Sequence, residues 1–365
     1  MTSISDFGGT VPPTSPSSPA PATVPHVERL VFSGRDSEYF RIWIVNLLLT
    51  MVTFGIYSAW AKVRKAQYMY GATSLAGSSF EYHGNPVAIF KGRIIALVLL
   101  VSYQVAFHVS TAFGFFALAV FMIVMPWLVW KSLQFKLHNS SYRGIRFSFR
   151  GDLNHAYRVY LFWSLLNGFT LFMLTPFIHQ RVKRYQHGDS YFGQTRFGFH
   201  ATPGAFYRQY GLAVLIAFSG VLVISALAFR GIFYGSSILD QVKSGSFGIV
   251  LGFIAVYVWI FALFPLFFTM IQNLIWSNTS LGQSRFKSDM KWTTMTFIAV
   301  TNLFGIMVTG GLFTPFAQLR TIRYRIESLS MTMDENIEQF LAAPAGELAA
   351  TGEGASDMFG FDISL

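Results

Sequence analysis

The chain has 365 residues, 53% of them hydrophobic and 12% charged, with a mean hydropathy of +0.45; soluble domains carry about a quarter charged residues. It has no cysteine, which excludes disulfides, thiolate catalysis and cysteine-ligated metals. The formal net charge is +10, but the cations avoid long stretches of chain, a distribution that fits an anionic membrane surface and not nucleic acid.

In chain order, residues 1–28 hold no Lys or Arg and no apolar core. Their "VPPTSPSSPAPATVP" reads as a disordered tail without a secretory signal. Segments free of Asp, Glu, Lys and Arg follow at 42–61, 94–130, 159–180, 209–229, 244–284 and 292–319. About 20 apolar residues let a helix cross a hydrocarbon core roughly 30 Å thick. Apolar elements are therefore expected near 40–60, 94–109, 112–130, 156–178, 211–229, 247–271 and 293–318. Four polar stretches separate them: "TSLAGSSFEYHG", "SSYRGIRFSFRG", "DSYFGQTRFGFH" and "TSLGQSRFKSD". Each sets a Gly-containing turn before alternating aromatic and polar residues, the pattern of short strands. Open strand edges are not tolerated in lipid, so these strands are expected to pair in a small cytoplasmic layer. Eight of the 17 acidic residues lie at or after Glu327. The closing "SDMFGFDISL" reads either as a solvated tail or as a docking segment for a protein partner.

The chain repeats itself. "FEYHGNPVAIFK" from Phe80 aligns without a gap with "FGFHATPGAFYR" from Phe197, a spacing of 117 residues that also pairs Arg64 with Arg181 and Tyr68 with Tyr185. A spacing of 139 residues links "TPF" at Thr175 to "TPF" at Thr314, and Arg181, Arg184 and Tyr185 to Arg320, Arg323 and Tyr324. The difference implies an insertion near 230–246. These registers divide the chain into a tail (1–28), repeat unit one (29–147), unit two (148–286), a partial third unit (287–330) and an acidic C-terminal tail (331–365).

Seven full crossings would divide the cations almost evenly between the two faces. If the single segments near 40–60, 156–178 and 293–318 dip in and return, all but Arg230 and Lys243 of the 27 cations fall on one side, as cytoplasmic loops require. Those segments also contain helix-breaking "NLLLTMVTFG", "NGFTLFMLTP" and "NLFGIMVTGGLFTP". Four spans, three re-entrant elements and both termini in the cytoplasm are expected.

The embedded segments lack carboxylates, and no metalloprotease, P-loop or hydrolase motif appears, so no catalytic residue, metal or cofactor is expected. An enzyme would have to work through Asp152, His155 or Asp189. Asn46, Thr50, Thr53, Asn167, Thr170, Thr175, Asn302 and Thr314 are the candidate polar site in the re-entrant segments, each Asn read in its own local context. Lys62, Arg64, Lys65, Arg181, Lys183, Arg184, Arg320 and Arg323 are candidates for anionic phospholipid or phosphate. The repeat-equivalent His83 and His200 are read as turn-stabilising side chains, with a shared metal or anion site as the alternative.

The block "YFRIWIVNLLLTMVTFGIYSAWAKVRKAQYMYGATSLAGSSFEYHGNP", the later "FTPFAQLRTIRYR" and the acidic ending "GEGASDMFGFDISL" resemble the YjgN-type bacterial inner-membrane proteins. Ala59 stands where that family usually has Pro, which the later copies keep at Pro176 and Pro315. The resemblance implies a bacterial inner-membrane location and, the family's domain being of unknown function, supplies no catalytic residues.

The expected fold is thus an all-α integral membrane protein with an internal duplication, a partial third copy, re-entrant or broken helices and short cytoplasmic β-segments. The leading functional reading is a non-enzymatic conduit or carrier for a small solute or lipid. The alternative is a membrane scaffold that holds anionic lipids or partner proteins through its cationic clusters and acidic tail.

Overall fold

The computed structural model describes residues 26–233 and 238–333. They build five helical hairpins standing on one ring of short strands. Strands β1 (His26–Arg29) and β2 (Val31–Phe32) lead into α1 (Asp36–Val52) and α2 (Ser58–Gly71), then β3 (Thr73–Leu75) and β4 (Ser78–Tyr82). Next come α3 (Pro86–Val109), α4 (Thr111–His138), β5 (Ser140–Tyr142) and β6 (Ile145–Phe149). The third hairpin joins α5 (Leu153–Tyr157), a π-helical turn (Arg158–Phe162) and α6 (Trp163–Phe169) to α7 (Thr175–Gly188), before β7 (Ser190–Phe192) and β8 (Thr195–Phe199). Then follow α8 (Pro203–Phe233), α9 (Ile238–Trp276), β9 (Thr279–Leu281), β10 (Ser284–Ser288), α10 (Trp292–Val308), α11 (Thr314–Glu327) and β11 (Leu329–Met333).

The all-α expectation is overturned. The short β-segments are not separate pieces but one antiparallel sheet of eleven strands, in the order β1-β11-β10-β9-β8-β7-β6-β5-β4-β3-β2. Its two edges are consecutive in sequence: β1 pairs with β11, and β2 pairs with β3. Leu30 joins them, its N–H donating to the Leu329 carbonyl at 3.1 Å. One strand interrupted at Leu30 therefore closes the sheet into a barrel. Only β1 and β2 are paired on a single side, so closure leaves little open edge and satisfies the backbone of the other strands on both sides.

Two-residue turns close one end of the barrel. Ala76-Gly77 and Arg143-Gly144 both have positive φ, as a type I′ hairpin requires, and Gly193 and Gly282 supply the positive φ in their turns. Every helical hairpin leaves from the other end and returns to it. The alternating residues fill the barrel: Leu75, Tyr142, Phe192, Leu281 and Met331 form one buried cluster, with Leu30, Phe80, Ile145, Phe147, Phe197 and Phe286 packed against it. Cross-strand neighbours interlock directly, as in Phe80 with Tyr142 (ring centroids 4.7 Å apart) and Phe147 with Phe192 (5.0 Å).

The hairpins are of two kinds. Among the described residues four helical stretches are long and apolar enough to cross a membrane: Pro86–Val109, Thr111–His138, Pro203–Leu227 and Val250–Trp276. These are the paired helices α3/α4 and α8/α9, started by Pro86 and Pro203 at helix N-termini. The expected insertion near 230–246 falls largely among side chains outside the described residues; its length goes into α8 and α9, of 31 and 39 residues. The other three hairpins have second helices of only 14 residues, about 21 Å of rise, too short to cross. Each turns at a matching tip, where Phe54-Gly55, Leu171-Phe172 and Gly310-Gly311 all take positive φ. The tips are apolar and exposed, Phe54 at 97% and Leu171 at 84%.

The two sequence registers relate alternate hairpins, short to short and long to long. Phe192→Ala inside the barrel should cost about 3–5 kcal/mol of stability, against less than ~1 kcal/mol for Phe162→Ala on the exposed outer surface. Thermal unfolding of the two purified variants checks this.

Candidate functional site

The polar residues picked from the re-entrant segments do not converge. Asn167 Nδ2 donates to Thr175 Oγ1 at 3.1 Å, and Thr170 Oγ1 donates to the Asn167 carbonyl at 3.1 Å. Thr53 and Thr309 instead donate to carbonyls one turn back and accept from Tyr57 N–H and Phe313 N–H. Thr175 and Thr314 each donate to the carbonyl three residues earlier. Thr50 is half-buried on α1, and its carbonyl receives the Gly55 N–H. These groups satisfy the backbone freed at each helix break. Asn46 and Asn302 prove equivalent once the two registers are applied in succession, with Trp163 between them. Both are buried. Asn302 is fully engaged, donating to the Ala317 carbonyl and Thr321 and accepting from Arg320 at 3.0 Å. Asn46 Oδ1 has no partner.

The histidines likewise serve the barrel. His83 Nε2 lies 2.8 Å from Ser141 Oγ, and His200 Nε2 lies 2.9 Å from Ser280 Oγ. Each joins one β-hairpin to the next, and the structure does not bring the two together. Among the described residues no group of three His, Asp or Glu is placed to hold a metal. His155 Nδ1 does approach Asp189, at 3.8 Å, but Asp189 is bonded to Arg196 at 2.8 Å. Burial holds the His155 imidazole below its ordinary value, with Asp189 pulling the other way.

The cations do fall into a pattern. Arg64, Arg181 and Arg320 occupy one position of the second helices α2, α7 and α11, and Gln67, Arg184 and Arg323 occupy the next turn. A tyrosine below them clamps each hairpin base. Tyr68, Tyr185 and Tyr324 donate to the carbonyls of Arg35, Asp152 and Lys291, at 2.9, 3.0 and 3.1 Å. Arg323 is spent on the fold, donating to the Gly34 carbonyl at 2.7 Å beside Asp36. Arg64 and Arg181 instead sit over the Tyr57 and Phe177 rings. Lys62 and Lys65 are half-buried on α2, Arg184 is exposed, and Lys183 is half-buried on α7.

The structure adds partners that sequence reasoning missed. An open groove of about 470 Å³ runs between α1 and α2, lined by Arg41, Ile42, Val45, Arg64, Gln67 and Tyr68. Two guanidinium groups thus meet a strip of aliphatic surface. Arg158 and Arg181 repeat the pair in the third hairpin, and both bear on His155. A cation six residues into an apolar helix was the available signal for Arg41 and Arg158.

Residues 27–358 match the family described as "Bacterial protein of unknown function (DUF898)", and the chain belongs to that family. Among curated proteins, it is 31% identical over 133 residues to an inner membrane protein YjgN of Salmonella typhimurium, covering 36% of this chain and 34% of that one. The namesake of Escherichia coli O157:H7 is 23% identical over 282 residues, 74% of this chain and 56% of that one. The chain therefore spans between about a third and just over half of these relatives. No solved structure matches.

Tyr185→Phe leaves the Asp152 carbonyl with the Ala156 N–H as its remaining donor and should cost about 0.5–1.5 kcal/mol. Thermal melts, with exchange of the third hairpin's amides, check this.

Proposed function

We propose that this member of the DUF898 family is a membrane-anchored scaffold that holds anionic phospholipid headgroups in grooves between the two helices of its short hairpins. The supporting observation is the groove that sets Arg41 and Arg64 beside Ile42 and Val45. A headgroup phosphate fits the paired guanidiniums, and an acyl chain fits the aliphatic strip. The Tyr68 hydroxyl at the groove floor is itself held by the backbone of Arg35. That fixes α2 against α1, so the two cations are preorganised.

In this reading α3, α4, α8 and α9 span the bilayer of the inner membrane. The three short hairpins enter from the cytoplasmic face and return, and the barrel lies in the cytoplasm. Two observations favour that placement. The short hairpin tips are exposed and apolar, whereas among the described residues no Lys or Arg lies between Ile94 and Trp130 or between Gln209 and Leu227. The hydroxyls of the re-entrant segments donate to carbonyls of their own helix breaks, so a conduit or carrier site among those segments is the weaker reading. Beyond Met333, the end of β11, the acidic tail expected to dock a partner protein lies outside the described residues.

Each cation near an anionic surface contributes about 1 kcal/mol, so Arg41→Gln with Arg64→Gln should weaken phosphatidylglycerol retention roughly 30-fold. Native mass spectrometry of the purified full-length protein reads this, and equal retention by the double variant would sink the lipid reading. The cysteine-free chain also permits a direct topology test. Arg196→Cys should react with an impermeant maleimide only after spheroplasts are permeabilised, and Ala112→Cys should react in intact ones.

A further inference from the structure

We infer that the protein responds to membrane curvature: its three short hairpins widen the leaflet on the barrel side alone, so it favours bilayers that are convex toward the barrel. Such a preference rests on the bilayer placement of those hairpins proposed above and is independent of the phospholipid grooves.

Two bonds fix the depth of the short hairpins. All five helical hairpins leave the same end of the barrel. Tyr207, in the second turn of α8, donates to the Met173 carbonyl in the tip of the third hairpin at 3.1 Å. The Arg93 guanidinium, two turns into α3, donates to Ser58 Oγ, where α2 begins just after the first tip. Both tips therefore lie level with the opening turns of the neighbouring long helices. From Arg93, α3 runs on to Val109, about 24 Å further.

The distribution of charge gives the same depth. Helices α2, α7 and α11 hold no Asp, Glu, Lys or Arg before Lys62, Arg181 and Arg320, which stand about 6–9 Å of rise from the start of each helix. On the long hairpins, Lys91 and Arg208 are both exposed at the sixth residue of α3 and α8, where their charged ends mark the headgroup level. Between these cations and the far end of each short hairpin stand exposed Phe54, Phe169, Leu171 and Phe172. An apolar tip with cations one or two turns behind it suits insertion by about 5–10 Å into the boundary between headgroups and acyl chains.

The result is a wedge. At the barrel-side leaflet five hairpins stand side by side, and only α3/α4 and α8/α9 continue into the other leaflet. In the ring the third hairpin separates these two on one side, and the fifth and first separate them on the other. A helix with its side chains is about 10 Å across, so the six legs of the short hairpins add roughly 500 Å² to one leaflet. A body wider in one leaflet strains a flat bilayer and is relieved where that leaflet is convex. Shallow amphipathic insertion is curvature-sensitive for this reason.

The test uses the full-length protein in neutral phosphatidylcholine vesicles of mixed diameter, where no anionic headgroup is present to fill the grooves. An impermeant dye on Arg196→Cys, added before permeabilisation, marks molecules with the barrel outward, and a second dye added afterwards marks the rest. Single-vesicle fluorescence then gives the density of each per unit area. Barrel-outward molecules should be several-fold denser on the smallest vesicles, and barrel-inward molecules depleted there. Phe54→Asp with Leu171→Asp should flatten both trends, while Phe54→Leu with Leu171→Met should keep them, which separates loss of the wedge from loss of folding. A fluorophore on Leu171→Cys should also be quenched by spin labels on the acyl chains. Quenching with equal densities at every diameter overturns the curvature preference alone, and absence of quenching overturns the placement of the hairpins together with it.

Discussion

The structure depends on the closure of its smallest elements. Strands of two to five residues have too little side-chain surface to stand alone, and each exposes a full set of backbone donors and acceptors. Pairing them in a ring removes all edges but the free sides of β1 and β2, and a ring needs its first and last strands to meet. Here the piece 26–32 supplies the join, reaching β11 with its first half and β3 with its second. The opening and closing segments of the domain therefore form a β-hairpin in space without a turn in sequence. Once that ring exists, the exit points of all five helical hairpins are fixed.

Closure also explains what the sequence revealed and what it hid. The charge-free runs announced the helices, and the "AG", "RG" and "GQ" turns with their alternating aromatics announced four β-hairpins. The fifth was illegible. In His26–Phe32 the outward positions are held by Val27 and Val31, exposed at 57% and 54%, while Glu28 takes a partly buried one, so the usual alternation is inverted. Separately paired strands looked like decoration on an all-α protein because nothing local shows that β1 and β11 touch. The repeat was legible only at every second step, since a short hairpin cannot align with a long one although both meet the barrel in the same way. The candidate site was partly legible: the repeated Arg64, Arg181 and Arg320 stood out, but Arg41 gains its meaning only from meeting Arg64 across the hairpin.

Internal symmetry divides into positions that serve the fold and positions free to serve something else. The tyrosine at the base of each short hairpin makes the same bond three times, so it belongs to the fold. The asparagine position does not repeat faithfully. In the fifth hairpin Asn302 binds Arg320, in the third Trp163 replaces it and packs edge-on against Phe177 at 5.0 Å, and in the first Asn46 leaves its oxygen unpartnered while Arg64 turns to Tyr57. One arginine position thus has two fates. It donates to an amide oxygen in α11 and lies over rings in α2 and α7.

That divergence bears on function because a fully satisfied cation has nothing to offer a ligand. Arg320 and Arg323 are spent on Asn302, Gly34 and Asp36, which removes the fifth hairpin as a binding groove and makes it the seam that closes the helical ring against α1. The first hairpin keeps Arg41 and Arg64 beside open aliphatic surface, and the third keeps the equivalent Arg158 and Arg181. If cations served only to set orientation in the membrane, the chain would need them on one side and nothing more. Retaining them in facing pairs, on two helices locked by a tyrosine, is a geometric demand that orientation alone does not make. The seam hairpin, which has lost the first member of the pair to Phe297, shows that the fold itself does not require it.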